Sequence, residues 1–336
     1  MPCQVTIKPS NHVFTVSGDE TILDGALREG FNIAYGCRNG ACGSCKGKIL
    51  DGLVDYGNYN NSALLDAEKK NGYALFCQAK PLTDVVIECR EISAIKDILV
   101  RTLPCRVQKL ERLAPDVMMI HLRLPANERL QFLAGQYIDI ITKSGLRRSL
   151  SLANAPHDDD VLQLHLRDYG GPFSRYVFNT LKEKDILRFE GPLGTFFLHE
   201  DSDKPLILLA SGTGFAPIKA IVEHAIYKKI KRPITLYWGC RVRADLYLTD
   251  LAQSWARDHG ITYVPVLSDA TPEEHWAGRR GFVHQAVMED FPNMSGYQVY
   301  ACGAPIVIES ALNDFTEQCK LPPDDFFSDA FTPSAQ

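Results

Sequence analysis

The sequence predicts a multidomain protein of mixed α+β and α/β class with three units in series, and three observations predict it. A glycine-rich cysteine loop, C-x4-C-x2-C at Cys37, Cys42 and Cys45, sits among short alternating strands and helices. Alternating apolar segments follow at 105–110, 117–124, 137–141, 161–166 and 186–189, with turns between them, which is the pattern of an antiparallel β-barrel. The continuous apolar run 205–210 then passes straight into Gly-Thr-Gly and a helical stretch, and strand–helix alternation continues beyond it. That is the pattern of a doubly wound parallel sheet. The units read as 1–93, 102–200 and 201–336, with a connection near 94–101.

Length and composition fit this division. A chain of 336 residues, 45% hydrophobic and 23% charged, is an ordinary globular protein of two or three domains. A net charge of −5 without a basic stripe gives no nucleic-acid surface. No apolar run is long enough to span a bilayer, and the first residues do not form a signal peptide. Besides the loop cysteines and Cys77, the cysteines at 3, 89, 105, 240, 302 and 319 show no pairing pattern, as expected of free thiols in a reducing compartment. A soluble, cytoplasmic monomer is expected.

In the first unit, Val5 and Ile7, then Val13, Phe14 and Val16, read as two strands around Pro9-Ser10-Asn11. Thr21 caps a helix carrying Ile22, Leu23, Ala26 and Leu27, ended by Gly30. The cysteine loop comes next, then a strand at 48–50, a turn at Asp51-Gly52, a helix at 62–71, the strand bearing Cys77, and a closing strand at 85–87. Cys37, Cys42, Cys45 and the distant Cys77 have the spacing by which four thiolates hold a plant-type [2Fe–2S] cluster. Gly36, Gly40 and Gly43 let the loop turn, and Asn39 and Ser44 add polar groups. A four-cysteine zinc site usually has two C-x2-C pairs, and only one is present; a thioredoxin-like C-x2-C has no need of Cys37. The order of elements resembles plant-type and bacterial oxygenase-associated ferredoxins. That resemblance implies a β-grasp ferredoxin domain with the cluster in a surface loop.

Three signals fall within the second unit: Ala134-Gly135-Gln136-Tyr137, then Arg147 through Ser151, then Gly170 through Ser174 before a helix at 174–181. In this order they resemble the flavin-binding domain of the ferredoxin–NADP reductase superfamily, whose signature is R-x-Y-S followed by G-x-x-S/T. Arg148, Ser149, Leu150 and Ser151 occupy the first motif, and Gly171 and Ser174 bound the second. Arg148 suits a flavin pyrophosphate, as do the free N–H groups of a helix start. The resemblance puts Ser151 near the flavin N5. Leu150 departs from the usual aromatic, so apolar contact with the ring survives and stacking does not. FAD is expected, with FMN as the alternative.

In the third unit, Gly212-Thr213-Gly214 with Pro217 opens a helix after the buried strand, the usual cradle for a dinucleotide pyrophosphate. Further elements are read at 234–238, 246–255, 263–266, 282–289 and 299–301, with a helix at 306–319. The resemblance to the same superfamily places Cys302, Gly303 and Pro305 beside the nicotinamide, with Cys302 and Ser151 at the catalytic step and Phe331 near the flavin. Arg241 and Arg243 follow the second strand, where two arginines suit a 2′-phosphate, whereas Asp245 suits free ribose hydroxyls.

The runs 212–217, 281–287 and 326–331 resemble the CDP-6-deoxy-Δ3,4-glucoseen reductase family, and Rieske oxygenase reductase components share the three-part order. The resemblance implies a route from NAD(P)H, with NADH favoured, through FAD and a [2Fe–2S] cluster to a separate acceptor protein. That acceptor is either an iron–sulfur dehydratase of deoxysugar synthesis or an oxygenase component. Leu150 alone supports a third reading, a non-catalytic electron-transfer module. The nine histidines are scattered without metal-ligand spacing.

Overall fold

The computed structural model describes residues 2–89, 91–92 and 98–331. The alternation at the start of the chain becomes β1 (Cys3–Lys8), which buries Val5 and Ile7, and β2 (Val13–Val16), which buries Phe14 and Val16. Thr21 then caps α1 (Ile22–Arg28): its hydroxyl accepts the Asp24 N–H at 3.1 Å and so satisfies a donor that the helix leaves open. Next come β3 (Lys46–Asp51), β4 (Val54–Asp55), α2 (Asp66–Lys70), β5 (Tyr73–Leu75), β6 (Lys80–Pro81) and β7 (Val85–Glu88).

The main sheet runs β2-β1-β7-β3-β5, with β1 and β7 parallel and the other pairs antiparallel. The helix expected over 62–71 begins only at Asp66. Asn60 Oδ1 takes the Ser62 N–H and Glu68 takes the Leu65 N–H, so a side-chain turn occupies the first residues and delays the helix. The core of Ile7, Leu23, Ile33, Phe76 and Ile87 also includes Cys45 and Cys77.

The chain divides into two compact units between Leu99 and Val100, and the barrel and the parallel sheet belong to the same one. Of the connection expected at 94–101, residues 94–97 lie outside the described residues, and Arg101 already opens a strand. The barrel consists of β8 (Arg101–Ala114), β9 (Val117–Arg123), β10 (Tyr137–Ile141), β11 (Arg147–Ser151), β12 (Leu162–Arg167) and β13 (Ile186–Leu193), with α3 (Pro172–Asn179) before the last strand. Its order is β11-β10-β13-β8-β9-β12. A bridge between Leu152 and Leu164, with the Ala153 N–H on Gln163 O at 2.7 Å, joins the two ends. Helix α3 starts two residues before the expected Ser174: Gly171 is the extended N-cap, and Pro172 at the first helical position has its φ preset for a helix.

The third sheet is parallel throughout, in the order β17-β16-β15-β14-β18-β19. Its elements are β14 (Leu206–Ser211), α4 (Phe215–Tyr227), β15 (Ile234–Cys240), α5 (Thr249–His259), β16 (Thr262–Leu267), β17 (Arg279–Arg280), α6 (Val283–Asp290), β18 (Gln298–Gly303), α7 (Pro305–Glu317) and β19 (Phe326–Ala330). The chain enters at β14, works outward through β15 to β17, then returns to the other side of β14. The strand order therefore reverses between β14 and β18, where open α/β sheets bind ligands. The last strand, β19, was not among the expected elements.

Strand β12 shows why the two parts of this unit hold together. Leu162, Leu164 and Leu166 face the barrel core, and the alternate residues Gln163, His165 and Arg167 face the parallel-sheet half. His165 Nδ1 lies 3.0 Å from the Tyr247 hydroxyl, and its Nε2 is buried without a hydrogen-bond partner. Burial pushes this imidazole down to about 3 from its ordinary 6.5, and the charges of Lys219 and His121 add to the effect. The unfolded chain therefore binds a proton that the folded chain refuses, so stability is complete above pH 6.5 and declines as pH falls towards 3. Tryptophan fluorescence reports this unit alone, since Trp238, Trp255 and Trp276 all lie in it. Between pH 6 and 4 the His165 contribution to unfolding free energy should fall by about 1.4 kcal/mol per pH unit, and His165→Gln should flatten the curve. Identical slopes in both proteins would show that His165 titrates normally when folded.

Candidate active site

In the first unit the loop at 36–45 brings the four predicted cysteines together as two pairs. Cys42 Sγ accepts the Cys37 N–H at 3.3 Å, and Cys45 Sγ accepts the Cys77 N–H at 3.5 Å. Within each pair one thiol bonds to the other, which holds Cys37 down to about 6 and Cys77 below its usual range while pushing Cys42 and Cys45 well up. Backbone N–H groups of Asn39, Ala41 and Cys42 also favour the Cys37 thiolate, and that of Gly40 favours Cys77. Ser44 Oγ accepts from Cys42 Sγ at 3.3 Å. Among the described residues no three His, Cys, Asp or Glu side chains gather as a single-ion site. Two thiols beside two thiols, with amide donors aimed at sulfur, is a donor set that fits a binuclear iron–sulfur cluster.

On the barrel, alternation along β11 separates the residues of the expected flavin motif. Arg148 is half-buried and Leu150 lies in the barrel core at 7% exposure. Ser149 is exposed, and its hydroxyl donates to Asp139 Oδ1 at 2.6 Å. Burial lowers the Arg148 pKa and nearby Tyr169 opposes this, so an anion beside the guanidinium would be favoured. Tyr169 was not anticipated; it is 77% exposed on the short stretch between β12 and α3. Space is open over Gly171, where an added Cβ would meet nothing within 4 Å. Ser174 Oγ donates to Asp168 Oδ1 at 2.6 Å and to Gly171 O at 3.1 Å, so its role is to fix the turn. A guanidinium, an aromatic face and an open helix start fit the phosphate and ring chemistry of a flavin nucleotide.

Where β14 and β18 end, their two turns interlock. A Cβ on Gly214 would lie 2.0 Å from Cys302 O, and one on Gly303, at φ +135°, would lie 2.4 Å from Ser211 O. Thr213 is buried in this turn. Trp238 donates its indole N–H to Gly212 O at 2.9 Å and stacks on Phe215 at 3.8 Å. Pro217 is buried in the first turn of α4, where its missing N–H needs no partner, and Pro305 opens α7 in the same way.

Strand β19 sets Asp329 opposite Cys302, and the Phe331 N–H reaches Gly303 O at 2.8 Å. Ser151, buried at the end of β11, donates to Asp329 Oδ2 at 3.4 Å. Burial pushes the Cys302 thiol far up, and the Asp329 charge raises it further, so it stays protonated. Ser151, Cys302 and Phe331 are thus gathered around Asp329, a residue missed in the sequence although it lies within the 326–331 run.

The two adenosine-side signals separate. Asp245 is buried and paired with Arg167 at 2.7 Å. It holds the barrel against the sheet, so it is not available as a ribose reader. Arg241 is 70% exposed and Arg243 is exposed, its N–H on Glu274 Oε1 at 2.7 Å.

Comparison with known proteins agrees with these three settings. A 2Fe-2S iron-sulfur cluster binding domain matches 5–82, an oxidoreductase FAD-binding domain 104–198, and an oxidoreductase NAD-binding domain 208–313. The CDP-6-deoxy-L-threo-D-glycero-4-hexulose-3-dehydrase reductase of Yersinia pestis is 43% identical over 99% of this chain and 100% of its own length. The chain belongs to the iron–sulfur flavoprotein reductases. Reductase component 1 of a Comamonas terephthalate 1,2-dioxygenase is 33% identical over 98% of both chains. The crystal structure of an Amycolatopsis cytochrome P450 reductase superposes with TM-score 0.79 and 33% identity, covering 99% of this chain and 100% of that one. This reductase therefore takes electrons from NAD(P)H and carries domains for FAD and a [2Fe–2S] cluster. No helix among the described residues is long and apolar enough to cross a membrane.

Two substitutions separate the settings. Cys45→Ser should remove most of the iron and the visible cluster absorption while leaving flavin content and NADH-driven flavin bleaching in place. Gly214→Ala should slow that bleaching at least about tenfold with the cluster spectrum intact, because the new methyl group meets backbone rather than a side chain that can move. Bleaching at the normal rate in Gly214→Ala would show that the two turns can part without loss.

Proposed function

We propose that this reductase supplies electrons to a 3-dehydrase acting on a CDP-6-deoxyhexulose. The observation that carries this reading is the 43% identity, over essentially the full length of both chains, to the reductase named for that dehydrase. FAD, when bound, would supply an acceptor for the two electrons of the nicotinamide that can release them one at a time, which matches a two-electron donor to a one-electron iron–sulfur carrier. NADH is the proposed donor, since the nucleotide half matches a family described as NAD-binding. We also propose that the chain acts as a monomer in a reducing cytoplasm, where the six cysteines outside the cluster set persist as free thiols.

The residues serve this task in distinct ways. The pairs Cys37–Cys42 and Cys45–Cys77 would each hold one iron of the cluster. Arg148 and the N–H groups after Gly171 bind the flavin pyrophosphate, and Ser149 and Ser174 set the strand and turn that present them. Leu150 supports the flavin side of the barrel as an apolar wall. The Gly212–Gly214 turn, with Pro217 shaping its helix, binds the nicotinamide nucleotide pyrophosphate, and Arg241 meets the adenosine end. Ser151 and the protonated Cys302 thiol flank the reacting carbon, with Gly303 and Pro305 shaping the wall and Phe331 closing the flavin side. Asp329 orients the Ser151 hydroxyl by accepting its proton in a hydrogen bond.

A second reading has its own support: the dioxygenase reductase component matches 98% of this chain at 33% identity. The test is reconstitution under anaerobic conditions with NADH and each acceptor in turn. Turnover of the CDP-6-deoxyhexulose by its dehydrase only when this protein is added is the expected result. Fast reduction of cytochrome c with no dehydrase turnover, and product from an oxygenase component instead, would move the assignment to oxygenation. A protein that NADH fails to bleach would leave the non-catalytic electron-transfer reading.

A further inference from the structure

The barrel and the parallel sheet meet along the outward row of β12, and that row is polar and largely buried. Gln163 Oε1 accepts from Lys219 Nζ at 3.2 Å, His165 bonds to the Tyr247 hydroxyl at 3.0 Å, and Arg167 donates to Asp245 at 2.7 Å. Lys219 is 7% exposed, and its ammonium has three donors and three acceptors. Besides Gln163, these are Ala153 O at 3.0 Å and Glu223 Oε2 at 2.8 Å.

The placement of the two ends is the important point. Ala153 follows Ser151 by two residues, beyond the end of β11. Lys219 lies on α4, whose first turn grows out of Gly212–Gly214. One buried side chain thus links the backbone that carries the Ser151 hydroxyl to the helix that carries the nucleotide turn. An apolar seam tolerates sliding, because apolar contact has no preferred direction. Directional bonds near 3 Å do not, and leaving any of these buried acceptors unmet is costly.

We propose that Lys219 is a positioning residue for the reductive half-reaction: it fixes the register between the strand of Ser151 and the nucleotide turn, and so the meeting of Ser151 with Asp329 beside Cys302. This inference rests on the reductase reading above. Lys219 touches no reacting atom, and its effect is on the rate of electron entry rather than on nucleotide affinity.

The test uses the full chain loaded with FAD and cluster. In Lys219→Met, flavin bleaching at saturating NADH should slow about tenfold or more, because misplacement of reacting groups by a fraction of an ångström is enough for this. The isotope effect from 4-deuterated NADH should rise, half-saturation by NADH should stay within about threefold, and FAD per chain should be unchanged. Without nucleotide, amides of 151–154 and 212–216 should both exchange faster with deuterium.

An unchanged limiting rate would overturn the proposal. So would a loss explained by missing FAD or by raised half-saturation alone, which marks a residue that only stabilises or only binds. Should Lys219→Met fail to fold, Gln163→Leu removes one acceptor and keeps the other two, and the same pattern is expected at smaller amplitude. A wild-type protein that NADH does not bleach would overturn the reductase reading instead, so the two failures are distinguishable.

Discussion

The arrangement at the centre of the parallel sheet rests on a contact between two backbones. At the ends of β14 and β18 the chain approaches itself so closely that neither Gly214 nor Gly303 has room for a side chain. Side chains cannot fill this place, so the walls of the crevice are peptide groups, whose positions are fixed by the sheet beneath them. The surrounding residues serve to keep the contact in place. Trp238 bonds the carbonyl of Gly212 from one side, and Phe331 bonds that of Gly303 from the other. A pyrophosphate or a flat ring brought to such a wall meets groups that need no rearrangement, which is the physical meaning of preorganisation.

The second constraint is the polar seam along β12. Buried ion pairs such as Arg167–Asp245 contribute little net stability, since the desolvation of two charges offsets their attraction. Removing one partner is another matter, costing about 3–5 kcal/mol because the other charge stays buried alone. The seam therefore favours one relative placement strongly without making the whole much more stable. Apolar contact on the far face of β12, through Leu162, Leu164 and Leu166, supplies the cohesion instead. One strand thus carries cohesion on one side and register on the other, separated by the period of two that any strand imposes.

What the sequence revealed is what local chemistry determines. The cysteine spacing, the glycine turn after a buried strand and the Thr21 cap each act within a few residues, and each is visible in the chain order. The three sheets were legible from apolar periodicity for the same reason. Three features were not. The motif at Arg148 to Ser151 reads as one continuous site, but strand alternation sends Ser149 out to Asp139 and Leu150 into the core. Asp245 reads as a ribose ligand until the barrel supplies Arg167, a partner 78 residues away. Asp329 was not singled out in the 326–331 run, because its significance comes from Ser151, 178 residues earlier. In the last two cases the deciding partner is distant in sequence, and periodicity holds no information about it; in the first the period of two was there to be read, but the motif drew the four residues together as one site. The local misses are two helix starts: the turn made by Asn60 delayed α2, and the Gly171 cap with Pro172 brought α3 forward by two residues.

Strand β19 lies at the sheet edge, beside β18, and brings Asp329 and Phe331 to the crevice. The elements it packs against, β18 and α7, are synthesised before it. On the ribosome the cysteine loop, which ends at Cys45, emerges about 280 residues before Phe326, while the crevice is still open. Translation thus imposes an order on assembly. A nascent chain can acquire its metal-binding unit without yet having a complete place to oxidise a nicotinamide, and a message cut short before the codon for Phe326 yields a protein that lacks the strand closing that place.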